Sequence, residues 1–161
     1  MSTYNAMKIE RSLREVEVLA LELQPPVVVD VSTTVADTIR KMQTEGYGCA
    51  LVTSSNRLTG IFTERDVLLS IVDDQAALAQ RISRQMTPNP VCITAKAPVC
   101  QAVLLMHQGG YRQIPIVDDS GQVSGCVRHK DIAEYLVNHF AAHVLNLPPD
   151  PEQIARTPEG A

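Results

Sequence analysis

Gly60-Ile61-Phe62-Thr63-Glu64-Arg65-Asp66 reads as the close of a strand running straight into a helix. The strand is expected over residues 58–62. The helix is expected from Glu64 to about residue 72, with Val67, Leu68 and Ile71 on one face. The first turn of a helix presents amide N–H groups without internal partners at the positive end of the dipole, where a phosphate can dock. Thr63 adds a hydroxyl, and Asp66 adds a carboxylate able to accept two hydrogen bonds from a vicinal diol such as a ribose. A second role is open for the same residues. Thr63 is a good N-cap, and an acid three positions on resembles a capping box with Asp in place of Glu.

The stretch has an echo, Gly125-Cys126-Val127-Arg128-His129-Lys130-Asp131. Upstream of it Pro26 matches Pro90, Val35 matches Val99, Met42 matches Met106 and Gly46-Tyr47 matches Gly110-Tyr111, all 64 residues apart. After one inserted residue the offset becomes 65, so that Gly60 matches Gly125 and Asp66 matches Asp131. A period this long exceeds the roughly 20–50 residues of solenoid repeats and indicates a tandem pair of small domains. Each unit is small for independent stability, so the two are expected to share an interface about a pseudo-two-fold axis, with equivalent clefts on either side.

Along the chain, residues 1–24 form a preamble compatible with either helix or strand. The first repeat, residues 25–73, opens with a short β-branched strand at residues 27–31. A helix capped by Ser32-Thr33-Thr34 and ended by Gly46 follows, then strands at residues 49–53 and 58–62 and the helix beginning at Glu64. A linker helix is expected within residues 74–85. The second repeat, residues 86–140, has a strand at residues 91–93, a helix from Pro98 to Gly109-Gly110, strands at residues 114–117 and 122–127, and a helix from about residue 130 to 140. Residues 141–161 read as a brief helical extension and a Pro-rich tail.

Of 161 residues, 45% are hydrophobic and 20% charged, enough to bury a core and remain soluble. A net charge of -4 without a basic run argues against general nucleic-acid binding. No apolar run is long enough to span a bilayer, and residues 1–20 lack a signal-peptide layout, so no membrane association and a cytoplasmic location are expected. Cys49, Cys92, Cys100 and Cys126 have no metal-ligand spacing and sit among apolar neighbours, which predicts buried free thiols. Met42 and Met106 are expected in the core. His107, His139 and His143 are scattered along helices, and His129 is expected on a solvated helix start.

The duplicated strand-helix-strand-strand-helix order resembles the CBS-domain family, whose tandem pairs are called Bateman modules. So do Met86-Thr87-Pro88-Asn89-Pro90-Val91, Arg112-Gln113-Ile114-Pro115-Ile116-Val117-Asp118 and the two Gly-to-Asp stretches. The resemblance covers roughly residues 25–140. It implies an α+β fold in which two repeats pack through their sheets and leave two clefts for adenosine-containing ligands. In that family the binding pattern is Gly, apolar, x, Ser or Thr, x, x, Asp. The first repeat matches it, which implies Thr63 at phosphate and Asp66 at ribose, with Arg65 in reach of phosphate and Thr87 and Val91 completing the cleft from the partner repeat. The second repeat keeps Asp131 but carries Arg128 in place of the hydroxyl residue. Arg128 either strengthens a phosphate site, since a guanidinium forks onto phosphate, or blocks the cleft. Arg112, at a position often basic in similar modules, favours the working anion site.

Three function classes follow. The first is a regulatory module sensing AMP, ADP or ATP, with no catalytic cofactor, assembled as a homodimer and signalling to an effector protein. The second is a structural dimerisation module with vestigial clefts. The third, an enzyme, lacks support: there is no nucleophile–His–carboxylate set, no Walker or Rossmann glycine pattern and no metal-ligand spacing.

Overall fold

The computed structural model describes residues 3–71 and 74–144. Helix α1 (Thr3–Glu15) leads through a single 3-10 turn at Val18–Ala20 into the first repeat. This comprises β1 (Val28–Asp30), α2 (Val35–Glu45), β2 (Cys49–Ser54), β3 (Arg57–Thr63) and the short helix α3 (Glu64–Asp66). Two 3-10 turns, Gln75–Ala79 and Ile82–Arg84, connect it to β4 (Thr87–Pro88), α4 (Val99–Gly109), β5 (Gln113–Val117), β6 (Val123–Arg128) and α5 (His129–Val144). The expected α+β tandem pair is therefore present.

Local chemistry explains the element boundaries. The Thr34 hydroxyl accepts the Asp37 amide at the start of α2, and Gly46 ends that helix at φ 63, a left-handed conformation that costs glycine little. Gly110 repeats this at φ 66 after α4. Ser55 and Asn56 both take positive φ in the two-residue turn joining β2 to β3, the geometry whose twist matches a hairpin. Both hairpins carry a register shift at equivalent places, between Val52 and Thr53 and between Ile116 and Val117.

The first sheet has the order β1-β2-β3-β4, with β1 parallel to β2 and the other pairs antiparallel. Its last strand comes from the start of the second repeat: Thr87 pairs with Ile61 and Pro88 with Gly60. Gly60 lets Met86 lie close over the strand: a Cβ at that position would lie 2.3 Å from the Met86 sulfur and force that side chain to shift. The second sheet pairs β5 with β6, and Ile93 bridges in parallel to Ile116.

The two repeats exchange their leading segments. Val16 O accepts the Val99 amide and Val18 N–H donates to Ala97 O, both in the second repeat. Gln80 O accepts the Val35 amide and Ile82 N–H donates to Thr33 O, both in the first. Each bond has its counterpart 64 residues away. Accordingly Val18 and Leu21 are buried in the second core with Ile93, Val99, Ile114 and Val127, while Ala77 and Ile82 are buried in the first with Val35, Leu51, Val52 and Phe62. Arg57 and Gln122, equivalent positions in the two repeats, bridge to each other, which places them beside the pseudo-two-fold axis.

Several expectations are corrected. The preamble, compatible with helix or strand in sequence, begins as a helix: α1 and the turn after it pack on the second repeat, where Ser12 Oγ and Tyr135 Oη lie 2.9 Å apart. The linker is two 3-10 turns and not a helix. The helix from Glu64 is α-helical only to Asp66 and widens into a π-helical turn over Val67–Ile71, leaving Leu68 exposed instead of on the inner face. Residues 91–92 are not in a strand. Cys92 is exposed and Cys100 half-buried, whereas Cys49 and Cys126 are buried as expected. Met42 and Met106 lie in the cores. The end of the last helix is seen to Val144; the Pro-rich tail from residue 145, and His143 as a side chain, lie outside the description.

Candidate functional site

A cavity of about 500 Å³ opens at the seam between the repeats, and Thr63, Arg65, Asp66, Thr87, Val91 and Arg112 all line it. Three structural devices converge there. The β3–α3 junction supplies Thr63, Arg65 and Asp66; β4 and the residues after it supply Thr87 and Val91; and the turn leading into β5 supplies Arg112. The Glu64 amide donates to Gly48 O, which fixes the start of α3 against the mouth of β2. Gly48 packs closely here: a Cβ would sit 3.2 Å from Gln113 Nε2 and 3.3 Å from Glu64 Oε2.

Asp66 caps the helix as its position suggested. Its Oδ2 accepts the Thr63 amide at 2.7 Å and the Thr63 hydroxyl at 2.8 Å, the acidic half of a capping box. Its Oδ1 accepts no hydrogen bond among the described residues and is open to a donor from the cavity. The Thr63 hydroxyl has one proton, and in this arrangement it is committed to Asp66. Arg65 and Arg112 are exposed and have no ion pair among the described residues, so the cavity carries two unpaired guanidinium groups alongside the carboxylates of Glu64 and Asp66. Apolar lining comes from Ile61, Pro90, Val91 and Pro115, and a ring from Tyr111, which is 41% exposed.

Arg128 and Asp131 are not brought to this cavity; they face each other at the equivalent place across the axis. Asp131 is buried, its Oδ2 accepting the Arg128 amide at 2.7 Å as Asp66 accepts that of Thr63. Here, however, the Arg128 side chain takes the remaining capacity: Nε reaches Oδ1 and Oδ2 at 3.1 Å, and Nη2 also reaches Oδ1. Nη1 donates to Gln24 Oε1 at 3.1 Å, and the guanidinium lies 4.7 Å from the centre of the Tyr47 ring. The hydrogen bonds that Arg128 donates to Asp131 raise the guanidinium pKa further, and burial pushes the Tyr47 phenol up to about 12, so the guanidinium stays charged and the phenol neutral across the ordinary pH range. His129 is exposed at the helix start, as expected.

The lining residues that motif reading passed over are chiefly Tyr111, Gln113 and Asn89. Tyr111 carried a signal, since Gly110-Tyr111 belongs to the repeat. Asn89 takes φ 49 and its amide donates to Thr59 O, a conformation that only the pairing of β3 with β4 explains.

Comparison with known proteins agrees with this architecture. The family model described as "CBS domain" matches residues 19–73 and 79–138. The Meiotically up-regulated gene 70 protein of Schizosaccharomyces pombe is 28% identical over 92% of this chain and 20% of its own length. The chain likewise spans about a fifth of the plant CBS domain-containing proteins from Arabidopsis thaliana that it matches. Among solved structures, CBS domain protein PAE2072 from Pyrobaculum aerophilum, complexed with AMP, superposes with a TM-score of 0.69 at 20% identity, covering 79% of this chain and 99% of that one. The CBS domain pair of protein MJ0100, in complex with 5′-methylthioadenosine and S-adenosyl-L-methionine, gives 0.69 at 19% identity, covering 77% and 98%. Likeness at these identities concerns the fold.

Proposed function

Because the chain belongs to the CBS-domain family as a tandem pair, we propose that it is a non-catalytic regulatory module that takes an adenine nucleotide in its seam cavity. The observation that carries this is the cavity's composition: one free carboxylate oxygen on Asp66 beside two unpaired guanidinium groups, Arg65 and Arg112. A ribose diol donates to Asp66 Oδ1. The phosphates lie towards Arg65 and Arg112, where charge-assisted bonds are strongest. Thr63 holds Asp66 in place and offers its hydroxyl oxygen to the ligand. Thr87, Val91 and Ile61 wall the slot in which the base lies, and Tyr111 presents a ring to it.

The related structures hold AMP in one case and a thioether and a sulfonium nucleoside in another. Two guanidinium groups free of ion pairs offer a phosphate charge-assisted hydrogen bonds that a sulfonium nucleoside cannot use, which favours AMP, ADP or ATP. Sensing requires two states with different affinity for the nucleotide. A homodimer supplies a place for that difference: Leu68, 69% exposed, borders an apolar groove with Ile39, Met42 and Val67, and a second copy would cover it. An effector protein would read the change.

Thermal denaturation with AMP, ADP, ATP and S-adenosyl-L-methionine tests the proposal. A nucleotide at a hundredfold its dissociation constant stabilises by about 2.7 kcal/mol. That corresponds to several degrees of Tm for a chain of this size, at about 2–4 °C per kcal/mol. No shift with any phosphorylated nucleotide at millimolar concentration, in a chain that remains dimeric, would favour the structural dimerisation module instead.

A further inference from the structure

The two halves of the seam are built from equivalent residues, yet only one of them is open. Val91 is 41% exposed at the cavity, while its counterpart Val27 is 2% exposed. Tyr111 is 41% exposed and its counterpart Tyr47 is 5% exposed. Arg128 stands where Thr63 stands in the first repeat, and its guanidinium lies over the Tyr47 ring. The geometry points to Arg128 as a built-in occupant of the second cleft, which makes this chain a sensor of one nucleotide and not two.

The argument is one of used and unused bonding capacity. Asp66 gives Oδ2 to Thr63 and keeps Oδ1 for a ligand. Asp131 also gives Oδ2 to the backbone of its motif, but Arg128 reaches both of its oxygens from within the same cleft. The planar guanidinium covers the face of Tyr47, and Gln24 holds its outer edge. A nucleotide entering here would have to break this buried fork, leave the Asp131 carboxylate uncompensated and strip the cation from the ring. The Asp131 side chain is fully buried and that of Arg128 only 13% exposed, so water does little to offset the loss.

The plug also crosses the seam. Arg128 belongs to the second repeat, Tyr47 to the first, and Gln24 to the segment that leads into the first. The closed half is thereby tied together by a charged group, and the open half is left to respond to ligand.

This rests on the adenine-nucleotide reading of the open cavity, and two measurements separate its failure from that of the reading. Isothermal titration calorimetry with AMP on the full chain is expected to read one site per chain. Arg128→Thr is expected to read two, because a threonine there keeps the amide and hydroxyl bonds that Thr63 makes and frees one oxygen of Asp131. Asp66→Ala combined with Arg128→Thr is expected to retain one. Two sites in the wild type, or one site in a folded Arg128→Thr variant, would overturn the inference. The second measurement needs no nucleotide and no folded threonine variant: the Arg128 Nε–H resonance, assigned by its loss in Arg128→Lys, is expected to be protected from exchange with solvent. Rapid exchange would also overturn the plug. A chain that binds none of AMP, ADP and ATP but shows the protected resonance would refute the nucleotide reading and support the closed cleft.

Discussion

Replacing Asp66 with alanine separates the two roles that its side chain combines. On the folding side, the variant loses the acceptor for the Thr63 amide and hydroxyl, at 2.7 and 2.8 Å. Capping losses of this kind cost about 0.5–2 kcal/mol. At about 2–4 °C per kcal/mol, Tm falls by roughly one to eight degrees. On the binding side, the variant loses hydrogen bonds between a charged oxygen and a ribose diol, each worth about 1.5–3 kcal/mol. One such bond corresponds to a roughly ten- to hundredfold weaker affinity, since each 1.4 kcal/mol or so is a factor of ten. Asp66→Asn tells the two apart, because its amide oxygen still accepts from Thr63 while the charge and one acceptor are gone. It is expected to melt nearer to the wild type and to bind nearly as weakly as the alanine variant. Calorimetry with AMP, paired with thermal denaturation, reads both quantities. If Asp66→Ala bound AMP with unchanged affinity while its Tm fell, Asp66 would be a helix cap and nothing more, and the site assignment would be refuted.

Two further substitutions test how the seam is built. Ile82→Ala, in the segment that precedes the second repeat but is buried in the first core, is expected to cost about 2–5 kcal/mol. Hydrogen exchange should then show lost protection in β2 and β3 before β5 and β6; the opposite order would contradict the exchange of leading segments. Gly60→Val drives its side chain into the Met86 sulfur and should separate β4 from β3, lowering Tm and AMP affinity together. Adding Met86→Ala should restore part of both, and a double variant no better than the single one would remove Met86 as the cause.

The regularities of the fold that were legible in the sequence are those that a short window of chain encodes. The caps at Thr34, Gly46 and Gly110 act within one turn of the backbone, and the strands around the Ser55-Asn56 turn are short apolar runs broken by polar residues. The 64- and 65-residue offsets and the family motifs carried the tandem architecture and six of the residues that share the open cavity. The π-helical turn after Asp66 was not legible, because an apolar periodicity near four residues does not distinguish one hydrogen-bond ladder from a slightly wider one.

Which surface each segment covers was decided only in three dimensions. Residues 16–18 and 80–82 look like linkers, since their backbone partners are about 80 and 45 residues away and no local pattern names them. Arg128 was ambiguous for the same reason: a guanidinium is equally suited to a phosphate and to a carboxylate, and sequence does not say which lies within reach. Folding sets Asp131 beneath it and Tyr47 beside it, and so the same motif that leaves an open acid in the first repeat is closed in the second. The chain's own residues determined the duplicated fold and the chemistry available at each cleft; the packing of one repeat against the other determined which cleft that chemistry leaves free.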